Sequence, residues 1–125
     1  MNNIVLIVDN DTGIIEAFQQ MLNRYHYTIL SSSSPKEVLR IIALQKPEIV
    51  IFDMKFRGPL NIDFLRKIKK RYPSLPVVVM TTFSNTFTRE HIMSIGVEGY
   101  FKMPFEVDEM LEKIWEYTGV LEQVS

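Results

Sequence analysis

Hydrophobic and polar positions follow two alternating rhythms along this chain. Short unbroken apolar runs, Ile4–Val8, Ile49–Phe52 and Val77–Met80, have the length and composition of strands buried on both faces. Between them, apolar residues recur three and four apart, the spacing of an amphipathic helix. Ile14, Ile15, Phe18, Met21 and Leu22 make the first such stripe. A short strand is predicted at Tyr27–Leu30. Ser34-Pro35-Lys36-Glu37 has the form of a capping box with proline at the first helical position, so a helix should run from there to about Gln45. Lys46-Pro47 stops it, and a third strand spans Ile49–Asp53. Gly58-Pro59 marks a loop before a helix at Ile62–Tyr72, which Pro73 and Pro76 close. A strand at Val77–Thr81, a helix near Thr88–Ile95 ending at Gly96, a strand at Tyr100–Lys102 and a helix from Glu106 to Tyr117 complete the pattern.

Five strands alternating with five helices predict an α/β fold: a parallel sheet covered by helices on both faces. In such folds function gathers at the carboxyl ends of the strands. Asp9, Asn10, Asp53 and Thr81 all fall there. Two buried strands that each end in a carboxylate call for a partner or a metal, because a lone buried charge is costly.

Composition narrows the class. At 125 residues, 46% hydrophobic and 23% charged, the chain has the size and make-up of one globular domain. Residues 119–125 read as a C-terminal tail or the start of a linker. A net charge of −1 gives no global pull toward nucleic acid or an anionic membrane. The absence of cysteine excludes disulfides and thiolate metal sites. No apolar run approaches a membrane span, and a cytoplasmic location is the default expectation.

Four pieces together carry a resemblance. VLIVDND, IVIFDM, VVVMTT and GVEGYFKMPF, in this order and spacing, make the chain similar to a response-regulator receiver domain of two-component signalling over nearly its whole length. The resemblance implies a flavodoxin-like (βα)5 sandwich with sheet order 2-1-3-4-5. It implies that Asp53 is the phospho-acceptor, receiving a phosphoryl group from a histidine kinase or phosphotransfer protein. Asp9 and Asn10, with Asp53 and the backbone carbonyl of Lys55, correspond to the holders of Mg²⁺. Thr81 resembles the switch hydroxyl, Tyr100 the aromatic that moves with it, and Met103-Pro104 the turn with a cis peptide. The resemblance further implies signalling to an unknown downstream protein through the face of the fourth helix, fifth strand and fifth helix. It implies a signalling domain that is not itself an enzyme.

Two departures weaken the acidic pocket. Asn10 stands where the family usually has a second acid, and Met103 where it has a lysine before the proline. Lys102 is one position early, and on a strand a one-residue shift turns a side chain to the opposite face. A unit charge at ~4 Å is worth about 1–4 kcal/mol. A hydrogen bond to a charged phosphoryl group is worth roughly 1.5–3 kcal/mol, against ~5.5 kcal/mol to throw a two-state switch. Mg²⁺ binding should therefore be weak, and a phosphorylation-independent pseudo-receiver stands as the alternative. A milder departure lies in MKFRGPLN, where Arg57 and Asn61 occupy places usually held by proline and glycine; Asn61 can cap the next helix.

Other features have plainer readings. Asp11 and Thr12 suit helix capping. His26 and His91 lack ligand spacing, and RKIKKRY (Arg66–Tyr72) reads as the solvated face of an amphipathic helix rather than a nucleic-acid site. Phe87 leans toward the core, Phe83 is undecided, and Phe101, Lys102 and Trp115 are candidates for a docking face, with Trp115 equally suited to the core. The enzyme alternative is a haloacid-dehalogenase-type phosphatase, with Asp9-Asn10-Asp11 and Thr81 as its first motifs. Its usual Gly-Thr order is reversed here, and its nucleophile would be Asp9 rather than Asp53.

Overall fold

The computed structural model describes residues 3–55, 57–82 and 87–119. The elements run β1 Ile4–Val8, α1 Thr12–Leu22, β2 Thr28–Ser32, α2 Pro35–Gln45, β3 Ile49–Asp53, α3 Ile62–Arg71, β4 Val77–Thr81, α4 Arg89–Met93, β5 Gly99–Lys102 and α5 Val107–Thr118. The strands form one parallel sheet in the order β2-β1-β3-β4-β5, as the family resemblance implies.

Strand alternation divides the core into two layers. Leu6, Val8, Val50, Phe52, Val77 and Val79 face Val38 and Ile42 of α2, Leu65 and Ile68 of α3 and Ile92 of α4. Val5, Ile7, Ile49, Ile51, Val78 and Met80 face Phe18 and Leu22 of α1 and Met110 and Ile114 of α5. The division follows from chain direction. From β1 the chain moves one way to β2, then turns back past β1 to β3, β4 and β5. Right-handed crossovers place a helix on one face for one direction and on the other for its reverse. The reversal creates a switch point between β1 and β3, where an open α/β sheet offers a crevice.

Local chemistry sets the helix ends. Asp11 Oδ1 accepts the N–H groups of Gly13 and Ile14, so Asp11 is the cap and Thr12 the first helical residue. Ser34 Oγ accepts the Glu37 N–H at 3.4 Å, while the Ser34 N–H donates to Ser32 Oγ rather than to Glu37. Half of the expected capping box is therefore realised. Lys46 ends α2 in the left-handed conformation and donates its N–H to Ile42 O. Asn61 Oδ1 accepts from Asp63 and Phe64, and its Nδ2 donates to Gly58 O at 2.7 Å. One side chain thus caps α3 and braces the loop after β3.

The second strand lies at Thr28–Ser32 instead of Tyr27–Leu30. Pairing with Ile7 and Val8 draws Ser31 and Ser32 into the ladder, while the Tyr27 hydroxyl meets Thr118 Oγ1 at 2.6 Å. The basic helix also differs from its expected solvated form: Ile68 is buried as expected, but Lys69 is only 6% exposed. Its ammonium donates to Pro73 O, Leu75 O and both Glu98 oxygens.

Candidate functional site

The switch point gathers Asp9, Asp53 and Thr81. Asp9 directly follows β1, Asp53 ends β3 and Thr81 ends β4. β3 lies between the other two strands, so the three side chains fall on neighbouring strand ends. All three are buried. Val8 pairs with Phe52, which brings Asp9 beside Asp53 one step further along.

Each carboxylate is held differently. Asp9 Oδ1 accepts the backbone N–H groups of Asn10 at 2.8 Å and Asp11 at 3.1 Å. Asp9 Oδ2 is buried and has no hydrogen-bond partner among the described residues. Asp53 Oδ2 accepts a hydrogen bond from the Lys55 ammonium at 2.7 Å, and the same nitrogen lies 3.6 Å from Asp9 Oδ1. Lys55 also donates its backbone N–H to Leu60 O at 2.7 Å, which ties down the loop that carries it.

Sequence reasoning gives Lys55 a part only through its backbone carbonyl; the structure adds its side chain. The signal was present in the spacing. Along extended chain, residues two apart point to the same side, so the Lys of Asp53-Met54-Lys55 returns to the side of Asp53.

Electrostatics follow from crowding. Burial pushes the Asp53 pKa up from 3.8 to about 7; Lys55 opposes the rise and the neighbouring Asp9 adds to it. For Lys55, burial disfavours the charge, but the hydrogen bond and charge of Asp53, with Asp9, outweigh it and raise its pKa. The ammonium is therefore held charged against two acids.

The donor set suits a hard cation. Two carboxylates converge, and Asp9 Oδ2 is a buried acceptor that nothing in the described chain answers. Among the described residues no group of three or more His, Cys, Asp or Glu assembles, so further ligands would be carbonyl or amide oxygens and water. Asn10 stands exposed at the rim, with its backbone N–H turned to Asp9.

The remaining expected residues take distinct places. The carbonyl of Thr81 accepts the Met103 N–H at 2.9 Å, linking β4 to the turn whose Met103–Pro104 peptide is cis. The Met103 side chain packs in the apolar layer of α1 and α5, while Tyr100 packs half-buried on the opposite layer. Lys102 is exposed and, with Phe101, lines a groove between α4, β5 and α5. Trp115 is not on that face; it packs edge-on against Tyr25, ring centroids 5.4 Å apart. His26 and His91 are exposed, and Phe87 joins the core layer of α2, α3 and α4. Phe83 and residues 120–125 lie outside the described residues.

A family model described as the response regulator receiver domain matches residues 5–115. The chain is 26% identical over 117 residues to sporulation initiation phosphotransferase F of Bacillus subtilis, spanning 94% of both chains. It is 30% identical over 106 residues to the DNA-binding transcriptional regulator NtrC of Escherichia coli, covering 85% of this chain but 23% of that protein. Among solved structures, a CheY-like receiver domain protein from Methanospirillum hungatei superposes with a TM-score of 0.81 at 25% identity, over 93% of each chain. An N-terminal signal receiver domain from Bacteroides fragilis gives the same TM-score and identity over 97% of this chain and 98% of its own.

Proposed function

The chain belongs to the response regulator receiver domain family of two-component signalling, and from that premise we propose that Asp53 accepts a phosphoryl group from a phosphohistidine. The observation that carries this reading is the buried pair at the switch point, with the Asp53 carboxylate aligned beside Asp9 and neutralised in part by Lys55. The donor would be a histidine kinase or phosphotransfer protein approaching the carboxyl edge of the sheet.

The step balances simply. An Asp53 carboxylate oxygen attacks phosphorus, the P–N bond breaks, and its electron pair stays on the imidazole nitrogen. The product is an acyl phosphate on Asp53. Asp9 and Asp53, with Asn10 and the Lys55 carbonyl, would hold Mg²⁺, weakly for want of a third acid. When bound, the ion neutralises charge on the phosphoryl oxygens. Lys55 contributes a positive charge from the chain itself. Thr81, at the end of β4, serves as the hydroxyl that the phosphoryl group draws in, with Tyr100 following on β5. The α4–β5–α5 face then passes the change to a downstream protein. In this scheme the domain is the phosphoryl acceptor, not a phosphatase. Family membership removes the support for a haloacid-dehalogenase reading.

Met103, packed among apolar side chains where the family has its lysine, favours a second reading: a phosphorylation-independent module that signals by binding alone. Intact mass separates the two. After incubation with Mg²⁺ and acetyl phosphate, the wild-type protein is expected to gain one phosphoryl group and Asp53→Asn none. No gain by a folded wild-type protein would select the second reading.

A further inference from the structure

We propose that the Lys55 ammonium is the resident counter-ion of the acidic pair and competes with the divalent cation for Asp53. This rests on reading the pocket as the Mg²⁺ site of a receiver. The family's usual pocket lysine is replaced here by Met103, and Lys102 faces outward, so neither position before Pro104 supplies a charge to the pair. Lys55 does. Its nitrogen lies 2.7 Å from Asp53 Oδ2 and 3.6 Å from Asp9 Oδ1, in the space between the two carboxylates.

A Mg²⁺ ion needs carboxylate oxygens at about 2.0–2.1 Å in near-octahedral geometry. The ammonium lies between the two acids, so a divalent ion entering there meets its positive charge and is opposed by it. The match of the ammonium to the site is incomplete, however. It gives one charge to two acids and leaves Asp9 Oδ2 buried without a hydrogen-bond partner among the described residues. A divalent ion can answer that oxygen, and the Lys55 side chain, one-third exposed on a flexible stem, has solvent to move into. Lys55 therefore holds the acids together when metal is scarce and yields when it is abundant.

The test is a calorimetric Mg²⁺ titration of the metal-free protein at pH 8, with no phosphodonor present. Lys55→Met is expected to lower the Mg²⁺ Kd about tenfold, the scale of one partly screened charge contact. Lys55→Arg, which keeps the charge, is expected to bind Mg²⁺ as weakly as the wild type. Lys55→Gln provides the same neutral readout if the methionine variant does not fold. A neutral variant that binds Mg²⁺ no more tightly than wild type, or no binding in any of the proteins, overturns the proposal. Because no phosphoryl group is involved, tighter Mg²⁺ binding in a neutral variant would stand even if Asp53 accepts no phosphate.

Discussion

Asp53→Asn is expected to stabilise the metal-free protein at pH 8 by roughly 2 kcal/mol, raising its Tm by about 6–10 °C. Asp53 sits buried beside a second acid, and its folded pKa rises from 3.8 to about 7. A raised pKa means that the folded state binds the proton more tightly than the unfolded chain does. The stability it confers is present below pH 3.8 and is lost as pH climbs through about 7. At pH 8 the wild type therefore carries a strained carboxylate. Asparagine keeps the shape and removes the charge. The variant gives up the ion-pair character of the 2.7 Å contact with Lys55, while that ammonium remains near Asp9, 3.6 Å away. The full linkage gain is reduced by this loss. Melts in chelator from pH 4 to pH 8 should show the advantage of Asp53→Asn growing with pH and vanishing at the acid end. Equal stability at pH 8 would show that burial, with Asp9 beside it, does not disfavour the Asp53 charge as described.

Lys69→Ala is expected to cost about 3 kcal/mol, and to lower Tm by roughly 10 °C. Lys69 is nearly buried in α3, and its ammonium reaches Pro73 O at 3.2 Å, Leu75 O at 2.8 Å and both Glu98 oxygens at 3.1 Å. Glu98 Oε1 also accepts the Val77 N–H at 2.8 Å. The pair thus joins the end of α3, the turn after it and the start of β4. Removing the cation leaves a largely buried carboxylate and two carbonyls short of a donor. A double variant, Lys69→Met with Glu98→Gln, should recover part of the loss, because it removes the uncompensated charge. Urea denaturation of the three proteins measures both effects. A loss below the ordinary surface-mutation range of about 0.5 kcal/mol for Lys69→Ala would contradict this account.

The fold was legible because its signals are local and redundant. Three apolar runs, two shorter strand segments and the helical stripes between them set the elements, and the family resemblance implied the sheet order. Boundaries slipped where tertiary pairing overrode composition: Ser31 and Ser32 are polar, yet β1 draws them into the sheet. Lys69 was hidden for a related reason. In RKIKKRY every cation looks alike until Glu98, 29 residues away, supplies a part-buried partner for one of them.

The site was legible in its carboxylates and less so in its cations. Asp9 and Asp53 meet because β1 and β3 are neighbours, a consequence of the switch in strand order. The outward position of Lys102 followed from the period of a strand. Lys55 carried the same kind of signal, two residues past Asp53, but the loop that places its side chain depends on Asn61 and Leu60. The pocket therefore keeps a charge that Asn10 and Met103 alone would have left missing.

Locating the phosphoryl group tests the assignment of Asp53 as acceptor. The protein would be treated with Mg²⁺ and acetyl phosphate and quenched with borohydride, which reduces an acyl phosphate to an alcohol. Peptide mass mapping would then identify the modified residue. Conversion is expected at Asp53 alone, with Asp9 intact. Conversion at Asp9, or none at either aspartate in a folded protein, would contradict it.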